Sequence, residues 1–156
     1  MDIVADAHIL PFVPESVDAI YCEAVLEHLY NPDQAVAEMY NALKPGGKVY
    51  ACTPFMQAYH GYPHHYQNFT LRGHQRLFER QGFRIENAGV AVGPTFALMT
   101  LNGMFLYEFF PKPVNWILGK TCGLLARLVR PFDVVLNKRP NAYVLASTTY
   151  LLACKP

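Results

Sequence analysis

The 156-residue chain is one domain long, and 52% hydrophobic against 16% charged residues is the composition of a folded core, not of a disordered tail. A formal net charge of +1, with no Lys/Arg-rich run interleaved with aromatics, argues against a nucleic-acid partner. The four cysteines, Cys22, Cys52, Cys122 and Cys154, are too far apart for CxxC metal spacing and read as reduced, buried thiols of a cytoplasmic protein.

In chain order, Ile3-Val4-Ala5 is strand-like and delivers Asp6-Ala7 to a turn ended by Pro11. Asp2 and Asp6 without a basic region make no signal peptide, and no apolar run reaches the ~18 residues of a membrane span. Val17 to Cys22 is short and mostly apolar, a buried strand. Asn31-Pro32 then starts a helix: Asn caps it, Pro fills the first position, where its missing N–H costs nothing, and Asp33 suits the dipole. Val36, Met39, Tyr40 and Leu43 mark one face, and Lys44-Pro45-Gly46-Gly47 ends the helix.

Lys48 to Thr53 is the next strand, closed by Pro54, and residues 55–69 form an aromatic, histidine-rich loop without clear period. Thr70 caps a helix running to about Gln81, with His74, Leu77 and Phe78 inward and Gly82 as its stop. Phe83 to Val92 reads as a strand, and Pro94 to Pro113 as an apolar section broken by Gly103, Pro111 and Pro113. Val114 to Val129 is an amphipathic helix, and Ala142 to Cys154 a long terminal strand. Strands alternating with helices and Gly/Pro stops predict an α/β layered fold.

The ordered series Asp6-Ala7, "LPF", "VDAIYCEAVLEHL", "NPDQAVAEMYNALKPGGKVYACTP" and "FTLRGHQRLFERQGF" resembles class I S-adenosylmethionine-dependent methyltransferases with small-molecule acceptors. The likeness covers residues 2 to about 92. It implies a Rossmann-like sheet with helices on both faces and family strand order 3-2-1-4-5-7-6. The family's opening strand, glycine-rich turn and second strand have no counterpart before Asp6. The expectation is therefore an N-terminally truncated sheet with the first two strands absent. Residues 1–156 would form a single partial domain, 1–92 as core part and 93–156 as variable C-terminal part. Strand 17–22 would be an exposed edge open to homo-oligomerisation, and these residues alone would bind the cofactor S-adenosyl-L-methionine weakly.

The resemblance also implies site residues. Asp6 would accept a hydrogen bond from the adenine amino group, the Ala7 N–H would reach a ring nitrogen, and Cys22-Glu23 would contact the methionine part. All of these lie at the C-terminal edge of the sheet, where open α/β sheets bind ligands.

Methyl transfer needs an aligned acceptor and often a base. His64 and His65, on the loop after the fifth family strand, and His28 are the candidate catalytic groups, with packing as the alternative for each. His60, Tyr62 and Tyr66 would line an aromatic acceptor pocket. No metal is expected, because the loop carries no carboxylate or cysteine beside its histidines. Glu27 either orients His28 or caps a turn.

At ~100° per residue, Ile117, Leu118, Thr121, Leu124, Leu125, Leu128 and Val129 share one face, opposite Lys120, Arg127 and Arg130. Residues 114–130 are thus either a surface helix packed on the sheet or a peripheral contact with a membrane or lipophilic acceptor. The function expected is methyl transfer to a small acceptor of lipophilic or aromatic kind, impaired in these residues alone. The alternative is a catalytically inactive methyltransferase-like interaction module.

Overall fold

The computed structural model describes residues 3–61 and 64–156. Four strands form one sheet in the order β1-β2-β4-β3: β1 Val17–Glu23, β2 Leu43–Pro54, β3 Arg84–Val92 and β4 Thr148–Cys154. β1 runs parallel to β2, and β4 is antiparallel to both neighbours. This is the 4-5-7-6 half of the family order, with the last strand in sequence inserted between β2 and β3.

α1 (Pro32–Ala42) starts where Asn31 Oδ1 accepts from the Gln34 N–H at 3.3 Å. α2 (Leu71–Glu79) starts where Thr70 Oγ1 accepts from the Gly73 N–H at 3.0 Å. Each cap satisfies a donor that has no partner inside its helix. Past α2 the chain reverses at Gly82 with φ +94, a left-handed conformation that glycine adopts without a Cβ penalty. Both helices bury their apolar stripe on one face of the sheet, where Val36, Leu77 and Phe78 meet Val49, Leu151 and Ala153. Strand alternation turns Tyr50 and Tyr150 to the other face. There they stack at 5.8 Å, and Tyr21 joins Tyr50 at 5.4 Å while 69% exposed.

Several expectations need correction. The strand at 17–22 buries only Cys22, and Leu43 to Gly47, read as the end of the first helix, open β2 instead. Ile3-Val4-Ala5 is not a strand: the segment is exposed and pairs with nothing among the described residues apart from a single bridge further on, Asp6 to Ile9. Pro94 to Pro113 is not broken at Gly103, because α3 runs through it over Pro94–Phe109; the break falls at Phe110-Pro111, ahead of α4. Its first turn is held by Asp133, which accepts from the Thr95 and Phe96 N–H groups at 3.0 and 3.2 Å. The terminal strand is shorter than expected, residues Ala142–Leu145 forming a 3-10 turn ahead of β4.

α4 (Lys112–Val129) follows α3 and packs against it, not on the sheet, so its apolar face stays open. Leu124, Leu125 and Leu128 are each more than half exposed. No helix among the described residues is long and apolar enough to cross a membrane. β1 bonds to β2 alone among the described residues, as expected of an edge.

Candidate active site

The site begins where β1 ends. After Cys22-Glu23 the chain turns at Ala24, whose φ of +52 is rare for a residue with a Cβ and whose N–H bonds to Cys52 O at 3.0 Å. The turn feeds a short 3-10 segment, Leu26–His28. Leu26 anchors that segment in the core, and the following residue, Glu27, is fully buried. One carboxylate oxygen of Glu27, Oε2, accepts from Thr53 Oγ1 at 3.4 Å. The other, Oε1, has no hydrogen-bond partner among the described residues. A buried carboxylate oxygen left unpaired is costly, so its surroundings matter.

The loop after β2 folds back over this segment. Phe69 N bonds to Pro54 O at 2.9 Å, Tyr66 N to Glu27 O at 2.9 Å, and Gln67 Nε2 to Leu29 O at 3.1 Å. His60 is thereby brought beside Glu27 and His28. The Nε2 atoms of His28 and His60 lie 3.8 and 4.0 Å from Glu27 Oε1. His28 Nδ1 sits 2.6 Å from His64 O, and His60 Nδ1 sits 2.9 Å from Ala58 O. A carbonyl can only accept, so each Nδ1 carries the proton and each neutral ring presents a bare Nε2. With both rings neutral, three acceptors converge on one point.

The other expected residues lie as follows. His65 has both ring nitrogens engaged: Nδ1 accepts from the His60 N–H at 3.2 Å, and Nε2 lies 2.7 Å from Asn68 Oδ1. Its ring packs against that of His60, centroids 4.2 Å apart and planes tilted by 49°. His64 is exposed and contributes its backbone carbonyl, its ring lying 5.4 Å from that of Tyr66. Tyr66 is itself 53% exposed. Tyr62 lies outside the described residues. Cys22 is buried behind Glu27; burial first, then the nearby carboxylate, pushes its thiol up to about 12. It stays a protonated, inert packing group.

Asp6 stands in a separate turn. Its Oδ1 accepts from the His8 N–H at 2.9 Å and lies 2.7 Å from His8 Nδ1, and the backbone bond chiefly holds the carboxyl below its usual range. His8 stacks on Tyr30 at 4.2 Å and its carbonyl accepts from Gln34 Nε2 at 2.9 Å, which ties the turn to the start of α1. The Asp6 side chain remains 62% exposed and the Glu23 carboxylate accepts from Tyr21 Oη, so both acids face outward at the β1 and α1 ends.

His60 also opens onto apolar space. A cavity of about 240 Å³ is lined by Gln57, Tyr59, His60, Phe96, Thr100 and Met104. Phe96 and Thr100 also line a second cavity of about 240 Å³ between α3 and α4, which Arg127 and Arg130 border. Glu27 is expected beside His28, as an orienting group or a turn cap; its approach to His60, distant in sequence, is not legible there.

Comparisons place this geometry among known folds. The family model of the methyltransferase domain matches residues 2–51, and no curated protein matches the chain. The [4+2]-cyclase SpnF superposes with a TM-score of 0.60 at 18% identity, covering 97% of this chain and 55% of that one. The methyltransferase solved with the Haloferax volcanii activator Trm112 gives 0.59 at 16%, covering 99% and 61%. Phosphoethanolamine N-methyltransferase 2 of Haemonchus contortus, bound to phosphomonomethylethanolamine and S-adenosylhomocysteine, gives 0.53 at 18%, covering 97% and 36%. The chain thus spans between about a third and three fifths of the length of these structures. It has the class I S-adenosylmethionine-dependent methyltransferase fold, and the methyltransferase-domain sequence pattern occupies its first third.

Proposed function

We propose that this chain carries the acceptor side of an S-adenosylmethionine-dependent methyltransferase acting on a small lipophilic or aromatic molecule. The observation that carries the reading is the pair of bare Nε2 atoms, on His28 and His60, beside a buried carboxylate at the mouth of an apolar groove. Either Nε2 can take a proton from an acceptor hydroxyl or amine, and Glu27 then stabilises the imidazolium. The acceptor's apolar body would lie along Phe96, Thr100 and Met104. His65 and His64 act through His60 and His28, one by ring packing and the other by its carbonyl.

The cofactor residues fit the group the fold implies. S-adenosylmethionine would be held by the outward carboxylate of Asp6, the Ala7 N–H, and the backbone of Cys22-Glu23 where Ala24 turns the chain away; it supplies the methyl group. Fold likeness alone does not carry this reading, since one neighbour is a cyclase.

The test has two arms on the 156-residue chain. Nuclear magnetic resonance titration with S-adenosylhomocysteine should move the amides of Ala7, Cys22 and Glu23, however weak the binding. Methyl incorporation into a panel of lipophilic phenols and amines should fall ~10²-fold or more in His28→Ala and His60→Ala, with the same amides still responding. No amide response and no incorporation would overturn the reading in favour of a catalytically inactive interaction module.

The open apolar face of α4 supports a second element, a peripheral contact with a membrane or a lipophilic acceptor through 114–130. Trp116, with Lys120 Nζ 3.9 Å from its ring centroid, is the reporter. Its emission should shift to the blue on adding anionic vesicles. Unshifted emission, with the protein left behind in flotation, would exclude the membrane.

A further inference from the structure

We infer that Glu27, His28 and His60 form a binding site for one divalent transition-metal ion of the zinc class. One donor atom from each of the three lies within 4.8 Å of the others. Their chemistry is that of two neutral imidazoles and one carboxylate, a set that suits zinc or ferrous iron with positions left open.

Three features distinguish this from a chance cluster. Glu27 Oε1 is buried and unpartnered among the described residues, and Oε2 accepts from Thr53, so the carboxylate is held with one oxygen unsatisfied. Each histidine has its far nitrogen fixed by a backbone carbonyl, the arrangement that presets a ligating tautomer and ring angle. And the three inner atoms are all lone-pair donors, which repel at this spacing unless something positive sits between them. Around a tetrahedral ion with bonds of about 2.1 Å, ligand atoms lie roughly 3.4 Å apart. The two histidine nitrogens lie 3.8 and 4.0 Å from Glu27 Oε1 and all three donor atoms lie within 4.8 Å, so the cluster would contract on closing around an ion.

The site has a way in. The His28 and His60 side chains are 30% and 38% exposed while Glu27 is closed off, so the ion would be held from below with its open positions toward the apolar groove. An acceptor oxygen reaching that position would be polarised and lose its proton more readily, an alternative to direct proton transfer onto histidine. The site itself rests on the donor geometry and not on the methyl-transfer reading.

The test is titration of the metal-free chain with Co2+ near about pH 7.5, followed by displacement with Zn2+. S-adenosylmethionine is absent throughout. The expected result is visible d–d absorption saturating at one ion per chain, with affinity lowered ~10-fold or more in both Glu27→Gln and His60→Ala. His64→Ala, which keeps the carbonyl, should bind as the parent does. Should Glu27→Gln fail to fold, His60→Ala, on a surface loop, still decides. No absorption, or absorption equal in parent, Glu27→Gln and His60→Ala, would overturn the site. So would binding lost only in His64→Ala. Any of these would leave the proton-accepting role of His28 and His60 standing or falling on the methyl-incorporation experiment alone.

Discussion

The sheet with α1 and α2, and the helical stretch from Gly93 to Leu145, are both rich in large apolar residues, yet they use them in opposite ways. In the first, Leu26, Val36, Leu43, Leu77, Phe78 and Leu151 are fully buried or nearly so. In the second, α3 buries only Ala97 and α4 buries nothing, while Phe105, Phe109, Trp116 and Leu128 are more than half exposed. A leucine becomes core only where a second layer faces it. Here the sheet supplies that layer to α1 and α2, whereas α3 and α4 have chiefly each other. Phe96, Thr100 and Met104 of α3 line the groove beside His60.

The contrast can be broken first at the core. Phe78→Ala should cost about 3–5 kcal/mol in urea unfolding, because the ring fills a site closed on all sides by Phe83, His74 and the sheet. A loss under ~1 kcal/mol would mean that the sheet region is as loosely packed as the helices.

His74 gives a similar effect through pH. It is buried, with Nδ1 3.3 Å from Thr149 Oγ1, and burial lowers it to about 4 from 6.5. The folded state thus binds its proton less readily than the unfolded state. The stability it contributes is full above pH 6.5 and is lost as pH falls toward 4, by about 3 kcal/mol in all. Urea midpoints at pH 7 and pH 4.5 should show the drop, and His74→Gln should flatten it; a parent with no drop would place His74 in water.

Where the two regions join, Gly93 admits no side chain. A Cβ there would lie 2.3 Å from Asp133 Cγ, the group that caps α3. Gly93→Ala should cost about 1–3 kcal/mol and unfasten the start of α3. Loss of protection at the Thr95 and Phe96 amides in hydrogen exchange is the specific readout, and unchanged protection would show the cap to be dispensable.

The smallest effect sharpens the contrast. Leu125→Asn, at a residue 55% exposed on α4, should change stability by no more than about 0.5 kcal/mol in water. A cost near that of Phe78→Ala would reveal a partner for that face.

Much of the sheet region was legible because its signals are local. Asn31-Pro32 and Thr70 announce their helices through caps that need no tertiary knowledge, and the strand at 17–22 carries its own apolar run. The family order 4-5-7-6 came from resemblance and from no local signal. Ile3-Val4-Ala5 reads as a strand by propensity, but a strand exists only when something pairs with it. α3 was hidden because Gly103 looks like a breaker, whereas helices tolerate a glycine at about 1 kcal/mol when packing and a distant cap hold them. The site was half legible: His28 and His60 stood out by type, but their convergence on Glu27 is a product of loop return. His64 and His65, the more conspicuous pair, meet His28 and His60 through a backbone carbonyl and a tilted ring contact.

The sheet's strand order also dictates when it can assemble. β2 and β3 do not touch in the ladder; each bonds to β4, whose residues 148–154 are made long after either. Until that segment has left the ribosome, β2 offers one open edge and β3 two, and contacts spanning some sixty to a hundred residues must wait for it. Such long-range closure is slow and leaves hydrophobic edges available to other chains. A nascent or C-terminally clipped form of this protein should therefore depend on a chaperone until β4 slides between its neighbours.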